Sequence, residues 1–236
     1  MEYLDKQSAK KVVYETNVSL HQKKLAIQSF GNTSNRIKDG FIIKPSGVDL
    51  NKVKTEKMVE VSSSGSFNES GLKPSIDEPT HRVIYQNFKE IGGIVHTHSK
   101  FATSFAQAGK SIKNYGTTHS DYSEIEILCT RSLKEKEIEN NYEYNTGVLI
   151  VETLNKLRIS PLWTPGILVK HHGLFSWGVD AYEAVKNAEA IEYIAEMAFY
   201  SEALNENIKK VPNALSSKHI KRKIGIDSYY GQNSEV

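Results

Sequence analysis

Residues 92–99 read GGIVHTHS, two glycines and an apolar pair followed by two histidines that one threonine separates. The apolar pair after the glycines predicts a short buried strand. Because side chains alternate faces along a strand, His96 and His98 are expected to point the same way. Two neighbouring imidazoles can chelate one divalent cation, although His-Thr-His is also compatible with a merely polar strand end.

A third imidazole is available in another apolar segment, at His171 or His172. Adjacent residues of a strand face opposite sides, so only one of the two can join the first pair, and His172 is the candidate. Three neutral imidazoles leave a coordination position for water or substrate, the pattern of a catalytic zinc rather than a structural one. Asp77 is a candidate fourth ligand or acid/base group, and equally a candidate N-cap of the helix after it.

Composition restricts the class of protein. The 236 residues, 39% apolar and 25% charged, predict one globular domain spanning residues 1–236. A net charge of +2 favours neither nucleic acid nor a membrane surface as a partner. The lone cysteine, Cys129, excludes an intramolecular disulfide. With no signal-peptide pattern and no run of about 20 apolar residues, the expected location is the cytoplasm.

Apolar periodicity predicts a mixture of helices and strands, and hence an α/β fold. The predicted helices are 3–24, 79–91, 101–108, 134–143 and 180–204. The predicted strands are 25–30, 41–43, 58–62, 94–98, 147–151 and 165–173. Glycine and small polar residues predict a loop at 31–34 and an irregular segment at 116–121.

Three small-residue turns indicate that an anion is bound. They lie at residues 31–34, 44–47 and 73–75, and two of them contain Lys-Pro-Ser. Backbone N–H groups, hydroxyls and lysines are the groups from which phosphate sites are built. None of the turns matches a glycine-rich nucleotide motif, so a nucleotide is not indicated.

These motifs together resemble the L-ribulose-5-phosphate 4-epimerases of the class II sugar-phosphate aldolase/epimerase superfamily. The resemblance covers almost the whole chain, in the same order, through residues 31–32, 44–47, 73–81, 93–99, 116–122, 172–178 and 229–232. It implies a three-layer α/β/α fold with a central, mostly antiparallel sheet. It also implies a homotetramer with active sites between subunits, and one divalent metal per subunit, usually zinc, with Mn²⁺ or Co²⁺ as alternatives.

The resemblance also implies roles for individual residues. The metal ligands would be His96, His98 and His172, with Asp77 as the nearby carboxylate. Asp121 and Tyr230 would be the acid/base pair, with Tyr230 supplied by the adjacent subunit. Substrate and phosphate contacts would come from Gly31, Asn32, Lys44, Ser46, Gly47, Ser75 and residue 76. Segments bordering the site contain Thr117, His119, His219 and Arg222.

Two positions depart from the family pattern. Ile76 stands where these epimerases have a second serine, and Glu78 where they have threonine. Losing one hydroxyl donor to a charged group is expected to weaken phosphate binding by roughly 1.5–3 kcal/mol. The backbone N–H at Ile76 remains, so weaker binding is expected rather than a different ligand.

The implied activity is interconversion of L-ribulose 5-phosphate and D-xylulose 5-phosphate by retro-aldol cleavage of C3–C4 and re-addition. Pathways that break down L-arabinose or L-ascorbate use such an enzyme. One alternative is a class II aldolase that releases dihydroxyacetone phosphate and an aldehyde. Aldolases of that kind have glutamate where Asp77 stands and lack a tail like residues 229–232, so the epimerase is favoured. A second alternative is a non-catalytic sugar-phosphate-binding relative, which only Ile76 favours.

Overall fold

A computed structural model describes residues 3–49, 52, 54–68, 71–158 and 160–223. The helices are α1 (Lys6–Gln22), α2 (Glu78–Asn87), α3 (Lys100–Ala108), α4 (Thr117–Ser120), α5 (Glu135–Glu139), α6 (Tyr142–Leu157), α7 (Ala181–Leu204) and α8 (Asn213–Lys223). The strands are β1 (Asn32–Ile37), β2 (Gly40–Ile43), β3 (Val59–Ser62), β4 (Gly93–Thr97), β5 (Gly166–Val169) and β6 (Gly173–Gly178). None of these helices is both apolar enough and long enough to cross a bilayer.

The strands form one sheet in the order β3-β2-β1-β4-β6-β5, and every neighbouring pair is antiparallel. The predicted α/β class with a mostly antiparallel sheet is therefore confirmed. Strand β4 lies in the interior of the sheet, between β1 and β6, and its register places Asn32 opposite His96. That register brings two predicted site residues to the same end of the sheet.

Helices cover both faces of the sheet. Ile94 packs into a core with α2 and α6, and the next residue, Val95, packs into a core with α1, α3 and α7. This alternation along β4 is the two-residue period of a strand whose faces are both buried. The result is the three-layer α/β/α arrangement, and His96 follows Ile94 onto the α2/α6 face.

Most of the strongly periodic segments were predicted correctly. Strands β2, β3 and β4 and helices α1, α2, α3 and α7 lie where apolar spacing indicates, within a few residues. The N-cap of α7 is Asp180, whose carboxylate accepts the Glu183 backbone N–H at 2.8 Å. Such a cap satisfies one of the unpaired donors at a helix start.

The predictions for residues 25–30 and 31–34 were wrong, because the strand lies in the polar segment. Residues 25 and 26 continue the turn after α1, with their N–H groups bonded to the Leu20 carbonyl. Strand β1 begins at Asn32, and its polar side chains, most of them buried, each make at least one hydrogen bond. Thr33, for example, accepts a 2.7 Å hydrogen bond from Asn17. Local composition does not reveal such partners, which lie on other elements.

The strand predicted at 147–151 was also wrong, because this run lies inside α6. A Cβ at Gly147 would stand 2.8 Å from the Val83 Cβ, so glycine permits close packing of α6 on α2. An apolar run of this length does not distinguish a buried helix from a strand.

The predicted strand 165–173 is in fact two elements. Strand β5 ends at Val169, a turn holds His171 and His172, and β6 begins at Gly173. Residues 117–120, predicted to be irregular, form the short helix α4, while α5 occupies half of the predicted helix 134–143. The sequence did not indicate α8 at all.

Candidate metal centre and active site

His96 is held rigidly at the end of β4. It is buried, stacks on Phe175 at a centroid distance of 4.2 Å, and its Nδ1 lies 2.9 Å from the Leu174 carbonyl oxygen. A carbonyl can only accept, so Nδ1 carries the proton and donates. The Nε2 lone pair is therefore available to a metal, which is the usual orientation of a ligating histidine.

His98 and His172 converge on the same point as His96. The Nε2 atoms of His96 and His98 are 3.0 Å apart, and one nitrogen from each of the three residues lies within 4.8 Å of the others. His98 comes directly after β4, and His172 comes from the turn between β5 and β6. His171 is exposed and has φ +65°. Within the described ranges, these three histidines are the group that could hold a metal ion.

The electrostatics of the cluster keep the imidazoles neutral. Burial lowers the pKa of His96 to about 3 and lowers the pKa values of His98 and His172 as well. Neighbouring imidazoles lower the pKa values of His96 and His172 further, because each disfavours a positive charge on the other. Neutral imidazoles are the form that binds metals, so three converging lone pairs fit a divalent cation.

Asp77 occupies the N-cap position of α2, but its side chain makes no capping hydrogen bond. Its Oδ2 instead accepts the side-chain amide of Asn32 at 2.7 Å. The carboxylate opposes the effect of burial on the pKa values of His98 and His172, so it lies within electrostatic reach of both. Of the alternatives for Asp77, the structure removes the side-chain cap, and ligation and acid/base chemistry remain predictions.

Asn32 has an unpaired acceptor beside Asp77. Its amide nitrogen donates to Asp77, and its Oδ1 is buried without a partner. A buried unpaired oxygen is costly unless a ligand or water supplies a donor. Gly31, just before it, has φ +76°, and a Cβ there would lie 2.9 Å from the His96 carbonyl oxygen. Glycine is therefore required where the chain entering β1 approaches the backbone of His96.

The two Lys-Pro-Ser turns lie side by side. The Ser46 N–H donates to the Lys73 carbonyl at 3.0 Å, and the Ser75 N–H donates to the Lys44 carbonyl at 2.9 Å. These two N–H groups hold the turns together. Ser46 and Gly47 are exposed, and Ile76 is 66% exposed. An isoleucine this exposed faces the solvent or a ligand rather than the core.

Lys44 is the buried cation of this double turn. It is 2% exposed, and its Nζ donates to the Ser29 carbonyl at 3.2 Å and the Pro45 carbonyl at 3.4 Å. Burial lowers its pKa to about 8, against the attraction of Asp77 and Asp49. Through Asp77, whose Oδ2 also lies 3.5 Å from the Ser75 hydroxyl, the double turn connects to Asn32 and the histidines.

Three other predicted residues form a separate group. The Asp121 carboxylate, at the end of α4, accepts His219 Nδ1 at 2.9 Å and the Arg222 guanidinium at 2.8–2.9 Å. His219 and Arg222 belong to α8, and Thr117 begins α4. His119 is buried and donates from Nε2 to the Ile125 carbonyl at 2.9 Å. Tyr230, the other predicted acid/base residue, lies outside the described residues.

Comparison with known proteins identifies the family. The profile described as Class II Aldolase and Adducin N-terminal domain matches residues 11–199. The chain belongs to this class II aldolase family. It is 43% identical over 228 residues to a protein from Salmonella paratyphi C (strain RKS4594) and to one from Salmonella choleraesuis (strain SC-B67), both named L-ribulose-5-phosphate 4-epimerase UlaF. The matches cover 96% of this chain and 99% of each relative.

Solved structures of the class II aldolase family share the fold. An L-fuculose 1-phosphate aldolase superposes with a TM-score of 0.77 at 17% identity, covering 93% of this chain and 97% of that one. YgbL from Escherichia coli gives a TM-score of 0.72 at 20% identity, covering 91% and 98%. At these identities the likeness concerns the fold alone.

Two residues near the histidine cluster were missed by sequence reasoning. Tyr142, at the start of α6, places its hydroxyl 3.2 Å from His172 Nδ1. His81 of α2 is fully buried, with Nδ1 2.7 Å from the Ser34 hydroxyl. Thirty residues separate Tyr142 from His172, and no local pattern marks the tyrosine. For His81, the Pro-Thr-His sequence after Asp77 was the available signal.

Proposed function

We propose that this chain is a metal-dependent epimerase that interconverts L-ribulose 5-phosphate and D-xylulose 5-phosphate. The observation that carries the proposal is the 43% identity to L-ribulose-5-phosphate 4-epimerases over 96% of the chain. The geometry supports it, because a three-histidine cluster and a lysine-containing double turn are connected through Asp77 and Asn32. A site for a phosphorylated ketopentose needs one group that binds the phosphate and another, the histidine cluster, beside the carbons that react.

The chemistry follows from the acidity of the substrate. The C4–H of a ketopentose phosphate is not acidic, so inversion proceeds by cleavage of C3–C4 and re-addition to the opposite face. The buried ammonium of Lys44, with the Ser46 and Ser75 hydroxyls, retains the phosphorylated fragment while its carbonyl turns over. Asn32 Oδ1 accepts a hydrogen bond from a sugar hydroxyl. His96, His98 and His172 would hold a divalent cation, whose positive charge would stabilise the negative charge that develops on the sugar oxygens.

Two acid/base groups are needed, because one fixed side chain cannot serve the C4 hydroxyl in both orientations. We assign these roles to Asp121 and Tyr230. Arg222 and His219 orient Asp121, since both donate hydrogen bonds to its carboxylate. Tyr230 comes from the neighbouring subunit of a homotetramer, and the site is completed at that interface.

Further parts of the proposal rest on the donor set and the family. Three imidazoles with a nearby carboxylate suit Zn²⁺ best, with Mn²⁺ and Co²⁺ as alternatives. Asp77 completes the ligand set or acts beside the metal. The enzyme acts as a single-domain cytoplasmic protein in L-arabinose or L-ascorbate breakdown.

The test measures epimerisation of L-ribulose 5-phosphate and aldol cleavage of a ketose 1-phosphate in parallel samples of the same protein. Protein stripped with a chelator and reloaded with Zn²⁺, Mn²⁺ or Co²⁺ is supplied with L-ribulose 5-phosphate, and D-xylulose 5-phosphate is followed by a coupled assay. We expect turnover only in the reloaded samples. Release of dihydroxyacetone phosphate from a ketose 1-phosphate, without epimerisation, would instead identify an aldolase. Full activity of the stripped protein would refute the metal dependence.

A further inference from the structure

The ring of Tyr142 lies against the metal ligand His172 on the side away from the other histidines. The Tyr142 hydroxyl is 3.2 Å from His172 Nδ1, and the two ring centroids are 5.9 Å apart. Since Nδ1 faces the phenol, Nε2 is the nitrogen left to join His96 and His98. The contact therefore concerns the ring atom that does not bind the metal.

The backbone on both sides of this contact adopts an uncommon conformation. Asn141, just before Tyr142, has φ +57°, and His171, just before His172, has φ +65°. Residues other than glycine rarely occupy this left-handed region, and such positions are concentrated at functional sites. Tyr142 and His172 are thus each preceded by a residue whose backbone conformation costs free energy.

The start of α6 is also anchored to the helix that Asp77 precedes. Thr80 of α2 donates from its hydroxyl to the Glu143 carbonyl at 2.6 Å. The Thr146 hydroxyl, fully buried, donates to the Tyr142 carbonyl at 2.9 Å. These bonds fix the main chain around Tyr142, so its phenol occupies a defined position relative to His172.

We propose that Tyr142 is a positioning residue that holds His172 in the tautomer and ring orientation required for metal binding. With the proton on Nδ1 donated to the Tyr142 oxygen, the Nε2 lone pair is free for the cation. Partners of this kind typically contribute 10–100-fold to metal affinity. The corresponding partner of His96 Nδ1 is the Leu174 backbone carbonyl, which a side-chain substitution does not remove. The partner of His172 Nδ1 is the Tyr142 hydroxyl, which a substitution does remove.

The inference rests on the proposed metal-dependent function, and its test is metal affinity. Tyr142→Phe removes only the hydroxyl, and Tyr144→Phe is the matched control, since Tyr144 lies on the same helix and is 44% exposed. Zn²⁺ and Co²⁺ affinities of the full chain are measured by competition with a chelator, and the visible absorption spectrum of the Co²⁺ form reports ligand geometry. Thermal midpoints of the metal-free proteins show whether the fold is retained.

We expect Tyr142→Phe to bind both metals about 10–100-fold more weakly, with an altered Co²⁺ spectrum and an unchanged metal-free midpoint. Tyr144→Phe should match the unsubstituted protein. Unchanged affinity and spectrum in Tyr142→Phe, with or without a fall in kcat, would overturn the inference. Failure of the proposed function shows separately in the unsubstituted protein, as metal binding without formation of D-xylulose 5-phosphate. An unsubstituted protein that binds no metal would overturn both.

Discussion

The buried lysine of the double turn predicts that substrate binding weakens above pH 8. Lys44 is 2% exposed, and burial lowers its pKa to about 8. Raising the pH through this value removes the ammonium charge from the site. The phosphate of the substrate does not change over this range, because its second pKa is about 6. Any loss of binding between pH 7 and 9 should therefore come from the protein.

The size of the effect follows from the pKa. A group with a pKa of about 8 is roughly 90% protonated at pH 7 and roughly 10% protonated at pH 9. If only the protonated lysine binds the phosphate, affinity should fall about 10-fold across this interval, or about 1.4 kcal/mol. A lysine with its ordinary pKa of about 10.4 would remain almost fully charged at pH 9, and binding would hardly change.

The assay is the KM for L-ribulose 5-phosphate, measured from pH 6.5 to 9.5 with saturating metal. Lys44→Arg should flatten the profile, since a guanidinium stays protonated throughout. Lys44→Met should bind weakly at every pH, without an inflection near 8. Lys73→Met, which removes the exposed lysine of the paired turn, is the control that should keep the inflection. A flat profile in the unsubstituted enzyme, or an inflection that persists in Lys44→Arg, would refute the assignment.

Three further predictions concern Asn32, Gly31 and the buried histidines. Asn32→Asp should lower kcat/KM by about 10–100-fold, because the donor to Asp77 becomes a second carboxylate, and activity equal to the parent would contradict the orientation of the amide. Gly31→Ala should lower the free energy of unfolding, measured by denaturant titration, by roughly 1–3 kcal/mol. The reason is that φ is +76° and the new Cβ would lie 2.9 Å from the His96 carbonyl oxygen. An unchanged free energy of unfolding would contradict this close approach. Metal-free protein should lose stability as pH falls from about 6.5 towards 3, by up to about 1.4 kcal/mol per pH unit per group. The reason is that the unfolded chain protonates His81 and His96 in this range, whereas burial in the folded protein lowers their pKa values to about 3 and keeps them neutral. Urea unfolding from pH 7.5 to 5 measures this slope, and a flat stability curve would contradict it.

Sequence reasoning succeeded where side-chain chemistry and local spacing agree. The His-Thr-His sequence follows an apolar strand, so both the strand and the convergence of two imidazoles could be predicted. His172 does lie with His96 and His98, as predicted, but the strand predicted to carry it was wrong, and its role as a metal ligand stays a prediction. His172 lies in a turn, and the left-handed backbone at His171 leaves the exposed histidine outside the cluster.

Two of the failures, at β1 and at Asp77, have one physical cause, which is that partners distant in sequence decide local structure. Strand β1 is polar and buried because Asn17, His81 and other side chains satisfy its hydroxyls and amides. Aspartate is a residue type typical of N-caps, but the carboxylate of Asp77 accepts a hydrogen bond from the Asn32 amide instead of capping α2. In both cases the pairing that decides the structure spans more than 15 residues, and propensity carries no information on it.

The register between β1 and β4 explains why the predicted phosphate contacts and the predicted metal centre depend on each other structurally. Asn32 lies opposite His96, and the same amide binds Asp77, whose carboxylate reaches the serine of the second turn. The path from the double turn towards the histidines therefore runs from the Ser75 hydroxyl, 3.5 Å from Asp77 Oδ2, to the Asn32 amide, 2.7 Å from the same oxygen, and then across the strand register to His96. A slip of one residue would send the side chains of β1 to the other face and break this path at Asn32. Because the separation between the two parts of the site is fixed in this way, a substrate must match it in length, and a cleaved fragment stays within reach of the carbon to which it returns.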